Sequence, residues 1–275
     1  MSYFHPSAPV LPPLPAVYLL FGSLPALVVA ETQSSLIGHA LLKTVSSAAF
    51  CAGPLLTKGP WSTYHKLITT GLCLSLIGDI CLVPTPSTYR PSPTPSAPGT
   101  VAPKREVSTN FKLGILAFAA AHGAYIAAFL KHSNGINWTV AATTFAATIG
   151  LSKALGVIYP PKFNYKGPNL LNLNIENEMR PLVTGYAVII SSMLAAAAAT
   201  YQPQSILVPA MEASWPWQRL LGAGMFVISD LFVAKDAFGA DREERFGKPH
   251  SWWKLMTGWG LYFLGQMVIA GTVYV

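Results

Sequence analysis

Charge is what this sequence has least of. Lys, Arg, Asp and Glu make up 11% of the 275 residues, against roughly 25% in a soluble domain. That is too little polar surface to clothe a water-soluble globule of this size. Acids are the scarcer sign, eleven against eighteen bases. Cysteine is nearly absent too: Cys51, Cys73 and Cys81 lie in or beside apolar runs. An odd number without ligand spacing excludes a disulfide framework and a zinc site. His39 and His122 are the histidines clearly inside apolar runs, too few for a three-histidine metal centre, so no metal and no cofactor is expected. A Gly-x-Ser-x-Gly elbow and a Gly-rich phosphate loop are also missing, which removes the usual serine-hydrolase and nucleotide-binding readings. Residues 1–13 contain no Lys or Arg. Without the basic region of a cleavable signal, the first apolar run is expected to stay in the mature protein.

Apolar sequence is what remains. Hydrophobic residues form 52% of the chain and cluster into runs of about 20, the length that crosses a bilayer core. The pattern predicts an all-α fold, a polytopic transmembrane helix bundle forming a single domain over residues 1–275. Eight spans are expected, at 14–30, 36–56, 64–83, 111–130, 138–158, 181–200, 217–238 and 255–275. The third, fourth, sixth and eighth are the clearest; the first is short with Pro25, and the fifth is rich in Ala and Thr. If the spans alternate, Lys58, Lys66, Lys131 and Arg219 fall on the side of the termini and thirteen bases fall on the other. The excess of Lys and Arg places the odd loops in the cytosol and both termini on the non-cytosolic side. The net charge of +7 then reflects membrane orientation, and no nucleic-acid partner is expected. No targeting motif is readable, so the endoplasmic reticulum or another internal membrane is the default. Residues 84–110, rich in Pro, Ser and Thr, read as a disordered cytosolic loop. The 160–179 loop reads as partly ordered, and 241–245 as a solvated mixed-charge helix end.

Two carboxylates break the apolar runs. Asp79 stands in Ser75-Leu76-Ile77-Gly78-Asp79-Ile80 and Asp230 in Phe226-Val227-Ile228-Ser229-Asp230-Leu231. Each costs roughly 3 kcal/mol or more to insert, and such groups face the protein interior with a partner. At about 1.5 Å per residue, Asp79, Asp230 and Lys43 all sit roughly 6–12 Å below the cytosolic face. Tyr186, Tyr262 and Gln266 fall in that layer or just beneath it, with His122 and Tyr125 deeper. Such a layer suits a pocket reached from the cytosolic leaflet. An Asp79–Lys43 ion pair that merely holds helices together, and a His122 satisfied inside the core, are the plainer readings of the same residues.

At these residues the chain resembles the YhhN family of eight-span membrane proteins, which includes the lysoplasmalogenases. The resemblance runs from Leu42-Lys43 through Gly78-Asp79 and His122-Gly123-Ala124-Tyr125 to Tyr186 with Met193. It continues in Gly222-Ala223-Gly224-Met225-Phe226-Val227-Ile228-Ser229-Asp230 and Tyr262-Phe263-Leu264-Gly265-Gln266. It implies metal-free hydrolysis of the vinyl-ether bond of a lysophospholipid substrate held in the bilayer, giving a fatty aldehyde and a glycerophospho-ethanolamine or -choline. Asp79 and Asp230 would be the acid/base pair, as two carboxylates serve an oxocarbenium ion in glycosidases. Lys43 or Arg180 would meet the phosphate. Two other functions fit paired intramembrane acids: a lipid-binding or proton-coupled transport protein, and an intramembrane aspartyl protease. The protease lacks its Gly-x-Gly-Asp motif, because position 76 is Leu76.

Overall fold

The structure, a computed structural model, describes residues 9–83, 108–133, 135–158, 168–201, 216–240 and 251–274. These residues form eight α-helices: α1 (Leu14–Thr32), α2 (Leu36–Leu56), α3 (Thr63–Cys81), α4 (Thr109–Lys131), α5 (Trp138–Ala154), α6 (Arg180–Ala199), α7 (Pro216–Phe238) and α8 (Trp252–Gly271). A 3-10 turn, Thr272–Tyr274, follows α8. No strand longer than a single bridge occurs among the described residues.

Local chemistry sets the helix ends. Ser35, Ser62, Ser108 and Asn137 accept a hydrogen bond from the backbone N–H three residues on, starting α2, α3, α4 and α5; each satisfies an otherwise orphaned donor. Ser108 therefore begins a helix inside what the sequence reads as the 84–110 loop. Residues 84–107 lie outside the described residues, as do 159–167 and 241–250, so the expected loop and the mixed-charge helix end at 241–245 are not described. The helix α5 also stops earlier than the expected 158. Gly156 adopts φ +85°, and the amides of Gly156 and Val157 turn back onto the carbonyls of Lys153 and Ser152, a Schellman stop.

Neighbouring helices close a ring in the order α1, α2, α3, α4, α6, α7, α8 and back to α1, with α8 also touching α2 and α3. The helix α5 stands outside, packed on α6, and Thr148 is its buried side chain. Four helices, α1, α2, α4 and α6, are long and apolar enough to cross a membrane. These are not the four that looked clearest in the sequence. Asp79 and Lys66 dilute α3, Gln266 and glycines dilute α8, and Arg219, Asp230, Lys235 and Asp236 dilute α7. Of these polar groups Asp79, Gln266 and Arg219 are buried in the bundle.

Glycines bring the helices close, as in membrane bundles where small residues replace a hydrophobic driving force between helices. Gly71 and Gly78 on α3 receive the rings of Tyr125 and Phe118, and Gly114 on α4 receives Leu82. On α7 and α8, Gly222 and Gly265 face one another, so that a methyl at Gly222 would lie 2.7 Å from Ile269 Cγ1 and 3.1 Å from the Gly265 carbonyl. Two residues further along, a methyl at Gly224 would meet nothing within 4 Å. Gly222→Ala should therefore lower stability by about 1–3 kcal/mol through overpacking. Gly224→Ala should be neutral or gain up to about 1 kcal/mol of helix propensity. Thermal unfolding of the two variants in detergent compares them.

Candidate functional site

The polar interior is built from side chains one helical turn apart, which share a face. On α2 these are Lys43 and Ser47, on α3 Ser75 and Asp79, on α8 Tyr262 and Gln266. Asp79 is 2% exposed. Its Oδ2 accepts hydrogen bonds from Ser47 Oγ at 2.7 Å and Tyr262 Oη at 2.5 Å, while Lys43 Nζ lies 3.4 Å from Oδ1. The Lys43 ammonium also sits 5.0 Å from the centre of the Trp259 ring, a cation–π contact that strengthens where water is excluded. Deeper in the bundle, Tyr125 donates to Gln266 Oε1 at 2.8 Å and lies 3.5 Å from Ser75 Oγ.

Asp230 stands in a second cluster. It is half-buried, and its Oδ2 accepts from Tyr186 Oη at 2.6 Å. Tyr186 Oη in turn lies 3.0 Å from His122 Nε2. His122 is fully buried, and its Nδ1 has no hydrogen-bond partner among the described residues; neither has Gln266 Nε2. The two clusters meet across aromatic edges. Phe226 stands 5.3 Å from the Tyr262 ring and 4.5 Å from the His122 ring, with Phe118 packed beside it.

The structure thus gathers eight of the nine residues picked out in the sequence, but into two linked groups. Lys43, Asp79, Tyr125, Tyr262 and Gln266 form one; His122, Tyr186 and Asp230 form the other. The described contacts do not join the carboxylates directly. Arg180 stays apart from both groups: at the start of α6, it donates from Nε to the Ile175 carbonyl at 3.3 Å. The plainer reading of Asp79 and Lys43 as an ion pair holds as geometry. A groove of about 490 Å³ lies elsewhere, on α3, between Trp61 and Lys66 at one end and Ile77 at the other. Among the described residues no three His, Cys, Asp or Glu side chains converge as metal ligands.

Ser47, Trp259, Glu31 and Phe226 went unnoticed in the sequence. Ser47 follows Lys43 by one turn, Trp259 precedes Tyr262 by three residues, and Phe226 precedes Asp230 by four, so helical spacing alone could have found them. Glu31 had no such signal. It closes α1, accepts from Trp259 Nε1 at 2.6 Å and faces His39 Nδ1 at 3.7 Å.

The YhhN family model matches residues 38–273, a stretch that holds both clusters and all of α3 to α8. The chain belongs to the YhhN family. The family suggests a hydrolase-type enzyme, and the four helices of spanning length suggest a membrane protein. No curated protein and no solved structure matches the chain.

Because Lys43 and Asp79 are both 2% exposed, removing one leaves the other charged and unpaired. Lys43→Met should cost about 3–5 kcal/mol, and the double variant Lys43→Met/Asp79→Leu should recover most of it. Chemical or thermal unfolding of the detergent-solubilised protein measures both.

Proposed function

We propose that this YhhN-family protein hydrolyses the vinyl-ether bond of lysoplasmalogens, with Asp79 and Asp230 as its two acid/base groups. The observation that carries this reading is the unequal surroundings of the two carboxylates. Asp79 faces an ammonium and accepts from two hydroxyls, which suits an anion. Asp230 receives a tyrosine hydroxyl and faces no ammonium in its described contacts, which suits a carboxylic acid. Pairs of acids held in different environments divide the acid and base roles between them.

In this scheme Asp230 delivers its proton to the β-carbon of the vinyl ether. The carbon bearing the oxygen becomes an oxocarbenium ion, which the Asp79 carboxylate stabilises electrostatically. Water adds to that carbon and gives up a proton to a carboxylate, leaving a hemiacetal. Collapse of the hemiacetal breaks the C–O bond, moves the hydroxyl proton to the glycerol oxygen and releases the aldehyde. The Tyr186–His122 chain orients Asp230, and Tyr262 orients Asp79. Lys43 is committed to Asp79, so Arg180, half-buried and with one side-chain hydrogen bond among the described residues, from Nε to the Ile175 carbonyl, is the better partner for the headgroup phosphate.

All eight helices would cross the bilayer, with both termini non-cytosolic and the aspartates nearer the cytosolic face. The distribution of Lys and Arg supports that orientation, and an internal membrane such as the endoplasmic reticulum is the compartment assigned. A second reading takes the Asp230–Tyr186–His122 chain as a proton path in a proton-coupled lipid transporter.

Asp79→Asn and Asp230→Asn should each reduce turnover at least 10³-fold, on the order expected for loss of an essential acid or base, while the protein still folds. Mass spectrometry of products from purified protein given vinyl-ether and acyl lysolipids in parallel should find aldehyde from the former alone. Wild-type-like aldehyde release by the double variant would sink the assignment. Proton flux in liposomes without any product would favour transport.

A further inference from the structure

The far end of the bundle holds a cation with no counter-ion among the described residues. Arg219, in the first turns of α7, precedes Asp230 by eleven residues, about 16 Å along a helix axis. It is 5% exposed. Its guanidinium carbon lies 4.9 Å from the centre of the Tyr64 ring and 6.0 Å from that of Phe129. Among the described residues no carboxylate reaches ion-pair distance of it.

The neighbouring groups are already occupied. Tyr64 donates its hydroxyl to Thr272 Oγ1 at 2.7 Å, and its ring packs 4.7 Å from that of His132. Gln218, next to Arg219, spends its amide on Val10 and Val268, accepting from one backbone N–H and donating to two carbonyls. Aromatic faces attract a guanidinium through their quadrupoles, and the Tyr64 hydroxyl also engages it, which accounts for one of the five N–H donors the group carries. Those donors form a planar fork that matches a phosphate. His132, just past the end of α4, is held below its ordinary pKa by partial burial and by the Arg219 charge.

We propose that Arg219 forms an anion site that takes a phosphate group, supplied by a phospholipid of the leaflet opposite the aspartates. A phosphodiester at that depth would lie at the headgroup level, with its chains along the bundle. The site would be separate from the reaction centre, at the other end of α3, α4 and α7.

The test uses the full chain in dodecyl maltoside, with native mass spectrometry and thermal unfolding as readouts. Dioleoyl phosphatidylglycerol, dioleoylglycerol of the same chains, and inorganic phosphate are the probes. Phosphatidylglycerol should remain bound and raise the unfolding temperature by several degrees, and dioleoylglycerol should not. Arg219→Gln should weaken phosphatidylglycerol binding at least tenfold, and Arg219→Lys less, since lysine keeps the charge without the fork. An equal upward shift from inorganic phosphate, also lost in Arg219→Gln, would support the anion site with a soluble source. Equal binding of the two lipids by the wild type would overturn the proposal, whether or not the glutamine variant folds. Undiminished phosphatidylglycerol binding by Arg219→Gln or Arg219→Lys would overturn it as well.

Discussion

An ionised carboxylate in the interior of an apolar bundle must be compensated where it stands. Water is excluded, and the alternative is a penalty of several kcal/mol. Much of the interior is arranged around that requirement at Asp79. Lys43 and Ser47 are presented from α2, Tyr262 from α8, and the acid itself from α3. Three helices are thereby fixed in rotation about their axes, because each has one face that carries the needed group. The rest of the interior polar set follows from this registration. With Tyr262 turned to Asp79, Gln266 one turn on is turned to Tyr125, and Tyr125 can approach only because α3 offers Gly71 there.

The second acid is held more loosely. Asp230 has a tyrosine where Asp79 has an ammonium and two hydroxyls, and it keeps some exposure. Between the two lies a wedge of rings, Phe118, Phe226 and Tyr262 with His122, meeting edge to face. Such contacts are directional and tightly packed. They bring the two polar groups near one another, and no described hydrogen bond or ion pair joins the carboxylates directly. A substrate group that reached both acids would have to displace part of this wedge, starting from the part-exposed Tyr186 and Asp230.

Much of this was legible in the sequence, and for identifiable reasons. Helix positions followed from runs of apolar residues long enough for a bilayer, and α2 was found over the same residues because polar caps bound it on both sides. The end of α5 was misplaced because Val157 and Ile158 continue the apolar run, whereas Gly156 ends the helix through its backbone conformation, which hydropathy does not register. Depth below a face can be counted from rise per residue, which puts Lys43, Asp79, Asp230, Tyr186, Tyr262 and Gln266 in one layer or just beneath it. The contacts join Lys43, Asp79 and Tyr262, tie Gln266 to the deeper Tyr125, and pair Tyr186 with Asp230 in a second cluster. Rotation about each helix axis could not be counted. The contacts between the two clusters run through Phe226, Phe118 and Tyr262, which depth alone does not give. Arg180 was chosen for its charge, and its guanidinium turned instead to the chain just before its own helix.

At the mouth of the Asp230 cluster, the segment preceding α6 is paired with the end of α7. Leu173 and Gly239 form an antiparallel bridge, the Asn174 amide donates to the Phe238 carbonyl, and the Ala240 amide donates to Asn172. Lys235 adds a bond to the Leu171 carbonyl at 2.9 Å. This backbone clasp ties together the two helices that carry Tyr186 and Asp230, close to the rim. Parting them there would break main-chain pairing as well as side-chain packing, so the least costly motion at that rim is a swing of individual side chains.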